Sequence, residues 1–161
     1  MKVLPFTDEY WMEIAFKEAE KAFDENEIPV GAVVVYENQI IGRGHNMRER
    51  LNDPTAHAEI IAITSAAATL NSWRLENCTL FVTLEPCAMC AGAIINARLP
   101  RIVYGADDKQ AGMCGSIDNL CDLNLSNHRV IVKGGVEESK CQSILNTFFT
   151  KVRNTESSLE N

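Results

Sequence analysis

The sequence predicts a single α/β domain, and three observations lead there. Runs of β character alternate along the chain with segments of helical periodicity, the order expected of a layered α/β fold. The 161 residues suffice for one sizeable core and fall short of two ordinary domains. The composition, 46% hydrophobic and 23% charged, is that of a folded chain, without repeat, linker or low-complexity block.

Each element has a local reason. From Asp8 to Phe23, the residues Trp11, Ile14, Ala15, Ala19, Ala22 and Phe23 recur at three- and four-residue spacing, which predicts an amphipathic helix capped by Thr7. Val30 to Tyr36 and Gln39 to Gly44 read as strands, with Glu37 and Asn38 placed for a tight hairpin turn. The polar, irregular segment Arg43 to Asp53 predicts a surface loop. A second helix is expected to open near Asp53, Pro54 and Thr55, with Asp as cap and Pro in the first turn, and to run toward Leu70.

Thr79 to Thr83 is a short apolar strand, after which Glu85-Pro86 leads into a helix from about Cys87 to Ala97, stopped by Pro100. Arg101 to Tyr104 and Arg129 to Val132 are further strands, separated by a Gly-, Asp- and Asn-rich stretch. The last helix, Glu137 to Val152, places Cys141, Ile144, Leu145, Phe148, Phe149 and Val152 on one face. One domain is expected over residues 1–154, with a disordered tail over 155–161.

Charge and hydropathy exclude several roles. With 15 basic against 22 acidic residues the formal net charge is −7, so the chain cannot grip nucleic acid by bulk charge. A local basic rim remains open to it, from Arg43, Arg48, Arg50, Arg98, Arg101, Lys151 and Arg153. The longest apolar stretch, Val30 to Tyr36, is strand-sized against the roughly 20 residues of a membrane span. The opening MKVLPFTDEY turns acidic too early for a signal peptide. A cytoplasmic, reducing location follows as the default, and the six cysteines are then metal ligands, nucleophiles or small core residues rather than disulfides.

Two short motifs carry chemistry: His57-Ala58-Glu59 and Pro86-Cys87-Ala88-Met89-Cys90. A catalytic zinc takes three nitrogen or sulfur ligands and keeps one position open, and His57, Cys87 and Cys90 supply that set. Cys87 and Cys90 share one face at a helix start, where unpaired N–H groups and the helix dipole favour thiolates. Glu59, two residues from His57, can reach a metal-bound water without being a ligand. Alone, Cys-x-x-Cys could be a redox pair or half of a structural zinc site, and His-x-Glu could be solvated surface. The chain has no second Cys-x-x-Cys to close a four-cysteine site, and a redox pair leaves His57 and Glu59 unexplained. Cys78, Cys114, Cys121 and Cys141 read as core or loop residues.

Paired H-x-E and P-C-x-x-C motifs are the recognised signature of zinc nucleobase deaminases. Flanking pieces select a branch: EIPVGAVVV at 27–35, DPTAHAEI at 53–60, TLEPCAMCAGAI at 83–94, NHRV at 127–130 and Phe148-Phe149. With these the chain, from about Trp11 to Arg153, resembles the bacterial tRNA-specific adenosine deaminases, which convert the anticodon wobble adenosine to inosine. The resemblance implies a cytidine-deaminase-like three-layer α/β/α sandwich around a mixed sheet of about five strands. It implies one Zn²⁺ per subunit, a tRNA anticodon stem-loop as partner, and a homodimer. Glu59 would be the catalytic proton shuttle.

In this family Asn46, here in the expected surface loop, would hydrogen-bond the flipped base, with Ala58 beside it. Asp107, Asp108 and Lys109 would line the nucleotide mouth, and Phe149 and Arg153 would meet the anticodon loop. The Asp107-Asp108 pair departs from the usual basic residue before a single Asp, and Met113-Cys114-Gly115-Ser116 departs from an Ala-rich version.

Two other readings compete. A deaminase of a free base or nucleoside, such as guanine or cytosine, would suit the acidic balance, but has no need of Phe149 and Arg153. A non-catalytic zinc module binding RNA or protein would have no need of Glu59.

Overall fold

The computed structural model describes residues 3–123 and 127–159. Five strands form one mixed sheet: β1 (Gly31–Tyr36), β2 (Gln39–His45), β3 (Thr79–Leu84), β4 (Arg101–Ala106) and β5 (Ile131–Lys133). Their order across the sheet is β2-β1-β3-β4-β5. β1 lies antiparallel to both β2 and β3, while β3, β4 and β5 run parallel. The β1–β2 hairpin turns through Glu37 and Asn38, both left-handed at φ 47° and 59°, the twist that matches flanking strands.

Helices cover both faces, so β1 reads as an unbroken apolar run instead of an alternating one. Ala32 and Val34 point with Leu80, Val82 and Ile102 toward α3 (Ala58–Leu70) and α4 (Ala88–Asn96). Val33, Val35, Phe81 and Val103 point the other way, toward Trp11, Met12 and Ala15 of α1 (Asp8–Asp24) and Cys141 of α5 (Glu138–Leu159). The expected three-layer α/β/α sandwich is therefore the fold. Thr7 caps α1, its hydroxyl accepting from the Tyr10 N–H at 3.2 Å.

Local differences from the sequence reading have tertiary or short-range causes. The expected loop after β2 contains a one-turn helix, α2 (Arg48–Leu51), because the buried Glu27 carboxylate accepts from the N–H groups of Glu49 and Arg50 at 3.3 and 2.7 Å. The next helix begins at Ala58, not at Asp53. Asp53 spends its carboxylate on Thr55, accepting from its N–H and hydroxyl in a local turn, and His57 takes the cap position. At the other end, α5 continues past Asn154 to Leu159, with the hydroxyls of Thr155, Ser157 and Ser158 donating to carbonyls one turn back. No helix among the described residues is long and apolar enough to cross a membrane.

Candidate active site and metal centre

The two chemical motifs meet because two helices start side by side at one end of the sheet. β3 ends at Leu84 opposite Ala106 of β4, and α4 begins directly beyond, with Cys87 as its cap residue and Cys90 in its first turn. His57 is the cap residue of α3. Its Nδ1 lies 3.7 Å from the Cys87 sulfur and 3.5 Å from the Cys90 sulfur. A tetrahedral zinc, with bonds of about 2.3 Å to sulfur and about 2.0 Å to nitrogen, holds such ligand atoms about 3.6 Å apart, so the three side chains fit the ion. Among the described residues no other His, Cys, Asp or Glu trio converges so closely.

Electrostatics favour the charged ligand. The Cys90 thiol donates to the Cys87 sulfur, and with the His57 contact this lowers the Cys87 pKa to about 3. The same bond, with burial, pushes Cys90 up. His57 is raised, chiefly by its bond to Cys87. Glu59, the second residue of α3, is 4% exposed, and burial pushes its carboxyl up to about 7.

His57, Ala58, Glu59 and Cys87 line the floor of a cleft of about 880 Å³, with Cys90 buried behind them. One side is Ile28, Val30, Asn46 and Arg48; facing it, the loop Asp107 to Ala111 forms a rim. Asn46 is not on an exposed loop as expected, but buried at 6% exposure. Its Nδ2 donates to the Ile28 carbonyl at 3.2 Å and its Oδ1 accepts from the Arg48 N–H at 3.2 Å, contacts that the polar sequence around it does not announce. Each amide atom keeps capacity for one more hydrogen bond. Asp108 turns its carboxylate onto its own loop, accepting from the N–H groups of Gln110 and Ala111 at 3.0 and 3.1 Å, while Asp107 and Lys109 stay exposed.

The third wall is α5, which contributes Phe149, Leu145, Gln142, Asn146 and Glu138. Phe149 is 43% exposed, an unusual state for a large aromatic ring. Gln142 and Asn146 escaped the sequence reading: they lie one turn apart, joined by a 3.0 Å hydrogen bond, on the flank of the stripe Cys141, Leu145 and Phe148. The available signal was a polar pair four residues apart beside an apolar face, which most surface helices also carry. Arg153, one turn beyond Phe149, is exposed and outside the cleft lining.

The expected basic rim is mostly engaged elsewhere. Arg43, Arg50 and Arg101 pair with Glu18, Glu25 and Asp8 at 3.4, 2.6 and 2.7 Å. Arg98 donates to the Ile95 carbonyl, and Lys151 to Asn26. Arg48 alone of the seven lines the cleft, joined there by Lys109.

Residues 6–153 match the family model of the MafB19-like deaminases. The tRNA-specific adenosine deaminase of Bacillus subtilis (strain 168) is 45% identical over 146 residues, 91% of this chain and 91% of its own. That of Aquifex aeolicus (strain VF5) is 44% identical over 146 residues, 91% of this chain and 96% of its own. A solved structure from studies of A-to-I editing by tRNA:A34 deaminases at the wobble position of transfer RNA is 40% identical and superimposes with a TM-score of 0.78, covering 84% of this chain and 99% of its own. With such relatives along nearly its whole length, and with the trio and carboxylate in place, this chain belongs to the tRNA-specific adenosine deaminase family.

Proposed function

We propose that this chain converts adenosine to inosine at the wobble position of a tRNA anticodon, with one zinc ion per subunit held by His57, Cys87 and Cys90. The observation that carries the reading is one cleft with a buried carboxylate beside the ligand trio at its floor and polar, basic and aromatic side chains at its mouth. Glu59 and the ligand trio lie below; Asn46, Arg48, Lys109 and the exposed Phe149 ring lie above. At about 880 Å³ the cleft is near the upper end of small-molecule sites, with room for more than one base.

Bound to the three ligands, zinc would supply a Lewis acid and a water nucleophile available at neutral pH. Glu59 takes up the proton that the attacking water gives up and delivers it to the ring nitrogen. It then passes the second proton to the exocyclic amine, which leaves as ammonia. Water is consumed, and a C–O bond replaces the C–N bond. Asn46 uses its remaining N–H and carbonyl lone pair on the edge of the flipped base, with Ala58 beneath it. Asp107, Asp108 and Lys109 border the mouth. Phe149 offers a ring on which a neighbouring base stacks, and Arg153 reaches the backbone of the loop.

A homodimer suits the surface. Beyond Glu59 neither α3 nor α4 carries a charged side chain, and their Ile60 and Met89 are only half-buried within the subunit. Apolar surface of this kind calls for a cover. A Cβ on Gly92 would meet nothing within 4 Å, so Gly92→Arg leaves the subunit intact and should split the dimer in sedimentation. A cytoplasmic setting fits a tRNA substrate and six free cysteines.

The deciding experiment incubates zinc-loaded protein with an anticodon stem-loop carrying A at the wobble position and resolves the digested nucleosides by mass. Inosine confined to that position is expected. Absence of inosine, with zinc bound, would overturn the reading and direct the search to free guanine, cytosine and nucleosides.

A further inference from the structure

The rim of the cleft is a loop without regular secondary structure from Asp107 to Ala111, yet five consecutive residues of it line the site. Something must hold it at a fixed height above the metal ligands. Its own hydrogen bonds, from Gln110 and Ala111 to the Asp108 carboxylate and from Gly112 to the Asp108 carbonyl, shape the turn but do not fasten it to the rest of the molecule.

Glu85 does fasten it. This side chain is 2% exposed, and no cation pairs with it among the described residues. Both carboxylate oxygens are turned to one nine-residue span of the loop. Oε2 accepts from the Asp108 N–H at 3.0 Å and from the Ser116 hydroxyl; Oε1 accepts from the N–H groups of Cys114 and Ser116 at 3.1 and 2.9 Å. The fit is tight enough that a Cβ on Gly112 would lie 2.4 Å from the Glu85 carboxylate and 2.4 Å from the Asp108 carbonyl oxygen. Glu85 is also two residues before Cys87, in the segment that enters α4. Its backbone N–H donates to Ala106 and the Pro86 carbonyl accepts from Met113, so one short segment meets both the rim and a metal ligand.

We propose that Glu85 is a positioning residue that sets the Asp107–Ala111 rim against the metal centre, so that substrate bound at the mouth reaches the floor in register. The proposal rests on the tRNA-deaminase reading for its consequence in catalysis, but not for its consequence in the loop. Glu85 touches no reacting atom. A buried carboxylate bonded only to N–H and O–H donors gives strong, short-range ties; an amide in its place keeps one accepting oxygen and turns an NH2 donor against the two donors on the other side. Loss of the ties releases the rim and leaves His57, Glu59, Cys87 and Cys90 where they are, so binding suffers before chemistry does.

The test compares Glu85→Gln, Ser116→Ala and Gly112→Ala with the natural chain, all zinc-loaded. Amide hydrogen exchange is read without substrate, and KM and kcat are read with the stem-loop. Glu85→Gln should speed exchange at Asp108, Cys114 and Ser116 by about tenfold or more. It should raise KM about fivefold or more while kcat stays within about threefold. Ser116→Ala, which removes one donor and keeps the rest, should move both readings the same way by less. Gly112→Ala should raise KM from the loop side of the contact, and with Ser116→Ala it decides the matter if Glu85→Gln does not fold. Unchanged exchange at the three amides, or a fall in kcat at constant KM, would overturn the proposal. If the natural chain forms no inosine, the functional reading fails, and the exchange measurement still decides whether Glu85 holds the rim.

Discussion

Gly44 and Ala58 meet backbone to backbone: a Cβ on Gly44 would stand 2.3 Å from the Ala58 carbonyl oxygen. Gly42 makes the same approach to Ala62, also at 2.3 Å. β2 and α3 are thus seated directly on each other, and Ala58 is flanked in sequence by His57 and Glu59. Gly44→Ala must push the start of α3 away and should cost about 1–3 kcal/mol. Gly42→Ala should cost a similar amount, one turn further from His57. Thermal melting with metal analysis separates the two: at equal loss of stability, Gly44→Ala should lose more zinc and more activity. Equal losses would show that the contact matters for folding alone.

Glu59→Gln should reduce inosine formation by about 10²- to 10⁴-fold, because the replacement can neither take up nor deliver the proton. Its zinc content should remain one per chain, since Glu59 is not among the converging ligand atoms. Metal analysis of the purified variant checks this, and a metal-free variant would make Glu59 a ligand instead of a shuttle.

Removing the metal should cost stability as well as activity. His57, Cys87 and Cys90 join α3 to α4, and an ion that binds only the folded chain adds to its stability by mass action. Dialysis against a chelator should abolish turnover and lower the melting temperature, and zinc should restore both. Cys87→Ser should show the lowered melting temperature without the chelator.

Asp8 gives the acid limb of the stability profile a local cause. Its carboxylate accepts from Arg101 at 2.8 and 2.7 Å and from Lys133 at 2.7 Å, tying the start of α1 to β4 and β5. Chiefly through the Arg101 bonds its pKa falls to about 2. A carboxyl whose folded pKa lies below its unfolded value of about 3.9 contributes stability above that value and loses it as pH falls toward the folded one. The contribution, about 1 kcal/mol after screening, should be complete at neutral pH and fade between about pH 4 and pH 2. Asp8→Asn should therefore lower the melting temperature at pH 7 and make little difference at pH 2, as calorimetry at the two pH values would show.

What the sequence made legible was whatever depends on local pattern. Trp11, Ala15 and Ala19 mark the buried side of α1 by spacing alone, and Cys87 and Cys90 mark a helix start by ligand chemistry. What stayed hidden depends on partners far along the chain. Asn46 sits in polar surroundings, and only its bond to Ile28 reveals that it is buried. Asp53 carries a cap residue's side chain but spends it on Thr55, so the helix waits until His57. The one-turn helix α2 depends on Glu27, some twenty residues earlier. Gln142 and Asn146 belong to the site only because α5 is laid across it, a fact of tertiary packing that no spacing within α5 records.

The wall supplied by α5 has a consequence for the order in which the site comes into being. By residue 90 a growing chain has received every side chain of the metal centre, together with Asn46 and Glu59. The surface that closes the cleft, from Glu138 to Phe149, is synthesised only from residue 138 onward. A domain folds as a unit, once its parts are all available. The residues that do the chemistry are thus made before the wall that encloses them, and an enclosed site exists only once α5 has been added and the domain has folded.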